Sequence, residues 1–523
     1  MKFKTLRVFI ALVSLFLFLL LFFAEETIQS SISSSLLYLQ FTPSFINFLS
    51  PIVEVSFGFL IVIFLTLLFG RVYCSALCPL GILIDLIHRL PGFKFFKQSK
   101  HKFKTAWKKT RLFFFFAVVI SMIAGSLSLL NLLDPYSLFS RLMTNLLRPI
   151  QVLIHNLLVI FLENKEIYIF SSLEPFYVSL KIVSISLLFA VLIIWLSYKY
   201  GRLYCNSICP VGTLLGFFSR NSLLGFHIDK DSCTKCRRCE KKCKADCIDS
   251  RQHLIDLSRC VSCFNCIDAC SESAIAYKPI VPLFSPPSES PQRRQLLIKV
   301  MSFMGAITFM RFSHNSTVFP QVTLGINQVI TPPGSINQQH FVEACTACHL
   351  CVDVCPTRVI QPSIMQYGNK GILQPALDFQ VGYCENECNL CGKVCPTGAI
   401  QPLLLEFKKT VKIGQVSLKS DLCIVFDRKE KCGVCVEICP TKAITPLEIE
   451  GLIHPEVEQD LCTGCGACQF VCPTEPKALV VTAINKHEFV DFSKIKNQPI
   501  DEGVDDFLKE LDLDLDLDEE TDI

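Results

Sequence analysis

The chain has no glycine-rich nucleotide fingerprint, no flavin motif and no hydrolytic triad, so it does not read as a complete enzyme acting alone. Charge is scarce: 19% of residues are Asp, Glu, Lys or Arg, and the net charge is +3, with nothing that points to nucleic acid. Lys and Arg are missing altogether from Ala24 to Pro51. No small-residue cleavage site follows the first apolar run, so that run is an anchor and not a removable signal. A disulfide framework is excluded by size, because disulfide-dense domains are short and this chain has 523 residues.

Cysteine is plentiful. Of 29 cysteines, 24 fall into six runs of the form C-x2-C-x2-C-x3-C or a near variant. The runs are Cys233, Cys236, Cys239, Cys243; Cys260, Cys263, Cys266, Cys270; and Cys345, Cys348, Cys351, Cys355. Three more are Cys384, Cys388, Cys391, Cys395; Cys423, Cys432, Cys435, Cys439; and Cys462, Cys465, Cys468, Cys472. This spacing closes thiolates around cubane iron–sulfur clusters, so six 4Fe-4S clusters are expected. Paired C-x2-C units also serve zinc, but the repeated rhythm, four times followed by proline, favours the cubane. In paired runs the fourth cysteine ligates the other cluster. One cluster of the first pair then takes Cys233, Cys236, Cys239 and Cys270, and its partner Cys260, Cys263, Cys266 and Cys243. The last four runs leave their pairing open, between neighbours or with the outer runs enclosing the inner. Cys423 is the loosest ligand, with eight residues between it and Cys432, and Cys247 is a spare thiol.

Four apolar stretches are long enough to cross a bilayer, at about 20 residues each: Leu6–Phe23, Ile52–Phe69, Leu112–Leu130 and Val183–Tyr198. The stretch Arg71–Arg111 carries ten Lys or Arg, which places it and the N-terminus in the cytoplasm. An apolar piece, Gln151–Leu162, is expected along the interface or packed on the bundle.

The spans carry an internal repeat. G-R-V-Y-C-S-A-L-C-P-L-G begins at Gly70, and G-R-L-Y-C-N-S-I-C-P-V-G begins at Gly201. Two span pairs of like orientation suggest a parallel repeat about an axis along the membrane normal. Cys74, Cys78, Cys205 and Cys209 then reach the same depth, as a redox pair or as ligands of a further metal. Arg71 and Arg202 read as cytoplasmic anchors. Asp85 and His88 are candidates for quinol protons, against the commoner reading of a solvated helix face, which is the expectation adopted.

A Pro/Ser linker, Ser285–Pro291, precedes Arg293-Arg294-Gln295-Leu296-Leu297 and a short apolar run. The text resembles a twin-arginine export signal, with a fifth span retained as an anchor. The acidic end after Pro499 reads as a disordered tail. The divisions are 1–224, a membrane domain; 225–280, a dicluster ferredoxin; 281–336, a linker; 337–485, a four-cluster ferredoxin; and 486–523, the tail. The expected fold is a membrane α-helical bundle of four spans plus a fifth, joined to α+β bacterial ferredoxin-like domains.

On these motifs the first 280 residues resemble NapH-type membrane quinol dehydrogenase components, and 290–485 resemble the NapG/MauM-type periplasmic ferredoxins. The chain is similar to a fusion of the two. The resemblance implies quinol as substrate and a bacterial inner-membrane location in anaerobic respiration. The first ferredoxin unit would be cytoplasmic, and the last four clusters would serve a periplasmic reductase or cytochrome partner of nitrate or nitrous oxide type. The alternative is the FixG/CcoG family, which shares C-x3-C-P and reduces copper for oxidase assembly; its usual immunoglobulin-like end is replaced here by four cluster runs. One difficulty stands: about 30 Å of hydrocarbon would part the two cluster units, and no cysteine or haem motif is read in the outer half.

Overall fold

The computed structural model describes residues 2–24, 26–50, 56–89, 101–103, 107–173, 175–176, 178–279, 305 and 329–490. The linker with Arg293 and Arg294, and the acidic tail, lie outside these residues.

The first part is helical. Its elements are α1 (Lys2–Phe23), α2 (Glu26–Tyr38), α3 (Phe41–Leu49), α4 (Gly58–Phe69), α5 (Tyr73–Ala76), α6 (Pro79–Arg89) and α7 (Lys108–Ile123). They continue as α8 (Ser128–Leu133), α9 (Pro135–Leu142), a π-helical turn (Met143–Leu147), α10 (Arg148–Glu163), α11 (Leu180–Tyr200), α12 (Leu203–Ser207) and α13 (Pro210–Ser219). The repeat dictates matching breaks. Gly70 (φ 75°) and Gly201 (φ 63°) end α4 and α11 in the left-handed region, where a Cβ is strained. Pro79 and Pro210 then open α6 and α13, at the position where a missing N–H costs nothing.

Three helical runs are long and apolar enough to cross a membrane: Phe3–Phe23, Pro135–Glu163 and Leu180–Tyr200. Two coincide with expected spans. Of the expected span Ile52–Phe69, the described helix is the shorter α4, and 51–55 are outside the described residues. The expected span Leu112–Leu130 is broken: α7 stops at Ile123, Gly125 takes φ 71°, and α8 starts anew. The piece Gln151–Leu162, expected along an interface, belongs instead to the 29-residue run Pro135–Glu163. Sequence windows miss this run because Arg141, Asn145 and Arg148 interrupt its apolar text.

The cysteine-rich parts are built from two-stranded antiparallel sheets and one-turn helices. In the first unit β1 (Leu224–Ile228) pairs with β4 (Ile275–Pro279), and β2 (Ile248–Asp249) with β3 (Leu254–Ile255). In the second, β5 (Ile360–Pro362) pairs with β6 (Pro375–Leu377). There β7 (Val411–Leu418) pairs with β10 (Leu479–Phe489), and β8 (Ile444–Ile449) with β9 (Leu452–Val457).

The two units meet opposite ends of α1, whose 22 residues make about 33 Å of helix. At its start, Lys4 Nζ reaches Asp268 at 2.5 Å, and the Phe3 ring stacks on Phe264. Past its end, Gln29 of α2 donates to Asp353 at 3.4 Å. Arg148 binds the Phe22 carbonyl at 3.1 Å and lies 3.6 Å from Asp353. A single buried core runs between them, joining Val261, the four C-x3-C-P cysteines, Tyr136 and Phe139 to Cys348, Leu350 and Val394.

Candidate metal centres

The paired repeats interlock. Arg71 Nη2 donates to the Cys205 carbonyl at 3.1 Å, and Arg202 Nη1 donates to the Cys74 carbonyl at 2.7 Å. Each guanidinium also faces its own repeat's first thiol, Arg71 to Cys74 at 3.7 Å and Arg202 to Cys205 at 3.8 Å. Both arginines are fully buried, so the cytoplasmic-anchor reading is corrected. The glycine after each Cys-Pro has a reason as well. A Cβ on Gly81 would stand 2.2 Å from the Cys74 carbonyl and 2.9 Å from Arg202; one on Gly212 would stand 2.2 Å from the Cys205 carbonyl and 2.8 Å from Arg71. Cys74, Cys78, Cys205 and Cys209 are all buried and within electrostatic reach of one another. Four buried thiols thus lie near two buried guanidinium groups, although their side chains are not drawn together into a formed metal-ligand group among the described residues.

Asp85 is likewise buried, which corrects the solvated-face reading. Its carboxylate meets Arg202 at 2.9 Å and both Arg7 and Lys244 at 3.3 Å. Burial pushes this carboxyl up, but the three cations together hold it below the usual carboxylate range. It therefore fixes Arg202 and the first ferredoxin unit in place and is no proton acceptor at neutral pH. His88 is half buried, with Nδ1 3.1 Å from the Ser197 carbonyl and Nε2 3.0 Å from His101.

In the cysteine runs the backbone is shaped for a cluster. In each of the four regular runs two residues take positive φ around the second cysteine: Lys235 and Arg237, Ser262 and Phe264, Ala347 and His349, Gly464 and Gly466. Such alternation turns successive N–H groups toward one concavity, a nest for an anionic centre. A small pocket is lined by Cys233, Cys236, Cys239 and Cys270, the first expected four-thiol set. The partner set gathers as well, since Cys266 lies in the field of Cys263, Cys260 and Cys243.

Among the last four runs, neighbours pair. Cys351 is influenced by Cys345, Cys348 and Cys395, and Cys391 by Cys384, Cys355 and Cys388. Cys435 is influenced by Cys432, Cys423 and Cys472, and Cys468 by Cys465, Cys462 and Cys439. Cys391 also lies in the field of Cys351, and Cys435 in that of Cys468, so thiols of neighbouring runs lie close together, Cys423 among them despite the inserted loop. The two pairs are joined where the Cys384 N–H donates to the Cys465 carbonyl at 2.8 Å. Burial, with neighbouring thiols adding to it, pushes Cys263 and Cys435 up to about 11. Such thiols ionise at neutral pH only beside a strong positive charge, which the iron of a cluster supplies.

Two features escape a reading by runs. Cys247 Sγ lies 3.5 Å from Cys243 Sγ, so the spare thiol borders the second set. The run from Cys345 also spells Cys-x2-Cys-His, the haem-attachment spacing. Its His349 is buried, however, with Nε2 2.8 Å from the Leu373 carbonyl and Nδ1 3.3 Å from Asn145, and both cysteines belong to a four-thiol set.

Comparison with known proteins agrees on the chemistry. A 4Fe-4S binding domain model matches residues 52–98, 184–230 and 391–414, so it takes in both C-x3-C-P motifs. Two 4Fe-4S dicluster domain models match 344–399 and 430–475, and 256–359. An uncharacterized protein of Methanocaldococcus jannaschii is 26% identical over 220 residues, 42% of this chain and 68% of that protein. The ferredoxin-type protein NapF of Escherichia coli is 28% identical over 144 residues, 28% of this chain and 80% of NapF. The ferredoxin-type protein NapH of Haemophilus influenzae is 32% identical over 83 residues, 14% of this chain and 29% of NapH. No solved structure matches significantly. With the thiol sets described above, these matches make the chain a ferredoxin-type electron-transfer protein, a polyferredoxin related to the Nap ferredoxins.

Proposed function

We propose that the chain is a membrane-bound electron carrier that links the quinol pool to a reductase system on the outer side, of nitrate or nitrous oxide type. The observation that carries this reading is the order of thiol sets through one continuous core. The Cys260 set packs at the Arg71–Arg202 end of the bundle, where Ser262 and Tyr277 donate to the Phe69 carbonyl. The four C-x3-C-P thiols follow inside the bundle, and Cys348 of the outer unit closes the same core. The Cys384, Cys462 and Cys423 sets then lead away from it. With a cluster on each set, the expected gap across the hydrocarbon is spanned by the C-x3-C-P thiols on one side and the Cys345 set on the other. The six run clusters are ligated as the three-plus-one sets indicate, and the C-x3-C-P thiols hold a further iron centre.

The ends of this order differ from its middle. Cys236 of the first set is exposed, and the Cys423 set is half buried beside exposed Phe426, Val434 and Ile453. Electrons leave to a partner protein at that apolar rim.

A tag after Ile523, probed by protease in intact spheroplasts, tests the sidedness. Digestion in the parent and protection in Arg293→Lys/Arg294→Lys is the expected result. Protection in both would retain all clusters in the cytoplasm and end the reading of outward delivery.

A further inference from the structure

The Cys384 run departs from the regular rhythm, because three residues and not two separate its first cysteines, Cys384 and Cys388. None of 385–391 takes a positive φ, so the loop lacks the paired turn that points N–H groups inward in the four regular runs. A lysine stands there instead. Lys408, on the short helix Leu405–Thr410, is 6% exposed and sends its Nζ to the loop. It donates to the Glu385 carbonyl and, at 3.2 Å, to the Asn386 carbonyl. Its neighbour Lys409 meets Glu387 of the same loop at 2.6 Å, on the solvent side.

Among the described residues Lys408 is the one buried Lys or Arg of the second cysteine-rich unit. Its hydrogen bonds go to neutral carbonyls, and among the described residues no carboxylate pairs with it. The buried cations of the first unit differ: Lys244 meets Asp85 at 3.3 Å, and Arg259 meets Asp256 at 2.7 Å. Two other cations near the later runs are offset. Arg141, beside Cys345, has Asp134 in its field, and Lys412, beside Cys462, is half buried, where water screens it. A buried charge is costly unless a counter-charge meets it, so Lys408 calls for an anion close by. Cys384 and Cys391 both lie in its field. Burial pushes the Cys384 thiol up to about 12, and Lys408 opposes that rise. A 4Fe-4S core on four thiolates is the anion that fits, and each electron adds one negative charge to it.

The run also lies in the middle of its unit. The Cys384 N–H donates to the Cys465 carbonyl at 2.8 Å, and the Tyr383 ring lies 5.8 Å from that of Phe470. On the other side Cys355, the last cysteine of the preceding run, is in the field of both Cys384 and Cys391. We infer that the ammonium of Lys408 makes the Cys384 cluster the highest-potential centre of the second unit, where an electron rests between the Cys345 and Cys462 runs. The inference rests on the proposed electron-carrier reading and adds a store to it. The step is the transfer of one electron from a reduced neighbouring cluster. No bond forms or breaks and no proton moves, so the fixed ammonium alone meets the added charge.

The test is a redox titration of the full-length protein with its clusters, in lipid nanodiscs, followed by electron paramagnetic resonance. Cys239→Ala/Cys263→Ala removes the first unit's signals, and Cys391→Ala identifies the Cys384 cluster by the component it removes or alters. That component is expected to have the highest midpoint of the second unit. In Lys408→Met and Lys408→Gln its reduction equilibrium should fall at least tenfold, about 59 mV for one electron. The other components should hold, and Lys408→Arg should keep the parent midpoint within threefold. A tie that merely holds the loop would leave that one midpoint in place, and an unmoved midpoint in both neutral variants overturns the inference while the carrier reading stands. An equal fall in Lys408→Arg overturns it too, since contacts and not charge would then set the potential. Should both neutral variants lose iron, the parent and Cys391→Ala decide: a Cys384 component below any other of its unit overturns the inference. A parent protein that shows no cluster signal under dithionite would remove both readings.

Discussion

A single hydroxyl separates otherwise similar cluster sites. All four runs of the second cysteine-rich unit end Cys-Pro-Thr, and the hydroxyls lie 3.7, 3.8, 3.7 and 3.2 Å from the cysteine sulfur for Thr357, Thr397, Thr441 and Thr474. Only Thr474 is well placed to donate to it. Its oxygen accepts the Ala478 N–H at 2.9 Å, which leaves the hydroxyl hydrogen for Cys472. Thr357 instead donates to the Tyr383 carbonyl at 2.5 Å. A hydrogen bond to a cluster thiolate favours the reduced, more negative state and raises the potential. Thr474→Val should therefore lower the midpoint of one cluster by the worth of one hydrogen bond, about 1 kcal/mol or about 40 mV for one electron. Thr357→Val should leave its cluster within about 10 mV, on the same scale. A redox titration followed by electron paramagnetic resonance compares the two; equal shifts would show that hydroxyl orientation is irrelevant.

At the scale of elements, the start of α6 lies against the peptide of Cys74 so closely that only glycine fits at position 81. Gly81→Ala must move either the helix or the backbone that carries the thiol, a cost of about 1–3 kcal/mol. The expected result is loss of iron equivalent to one C-x3-C-P centre, with the run clusters retained, by iron-to-protein ratio and spectroscopy. In the second cysteine-rich unit, β10 places His487 against β7 and the first residues of the unit, with Nε2 3.0 Å from Thr331. Burial pulls this imidazole down to about 4. The neutral form is the one the fold prefers, so its contribution is full above the unfolded value near 6.5 and is lost as pH falls through about 4. Allowing for the ring's partial exposure, the loss is on the order of 2 kcal/mol. The thermal midpoint of this unit should drop over that window, and His487→Gln should flatten the drop. A pH profile unchanged by the substitution would assign the effect to other groups.

At the scale of the molecule, the proposed electron passage from the bundle to the second cysteine-rich unit depends on docking, and docking is polar and buried. Asp353 receives Gln29 and lies near Arg148, while the Ser140 hydroxyl donates to the Cys348 carbonyl. Arg148→Glu sets two carboxylates against each other at a buried contact, where loss of a partner costs about 3–5 kcal/mol. Electron exchange between the first ferredoxin unit and the sets of the second unit should slow at least tenfold in freeze-quench experiments. Midpoint potentials within each unit should hold, because the thiol sets themselves are untouched. Unchanged exchange would mean that electrons do not cross at this contact.

The cysteine runs by themselves pointed to the 4Fe-4S chemistry and displayed the duplicated C-x3-C-P unit, because ligand spacing along the chain is itself the chemical requirement. Gly70 and Gly201, and Pro79 and Pro210 nine residues after them, could be read the same way, since backbone conformation there is a local matter. The roles of Arg71, Arg202 and Asp85 could not. A charged side chain is assigned to solvent until another segment, 117 residues away in the case of Asp85 and Arg202, is seen to neutralise it. The run Pro135–Glu163 was hidden for a similar reason, as its polar residues find partners on the second cysteine-rich unit rather than in water. Pairing among the last four runs was also undecidable from spacing, because every run offers the same four thiols. Only the tertiary structure shows which runs lie side by side, and that the Cys348 loop enters the helical core, because both depend on contacts between segments far apart in the chain.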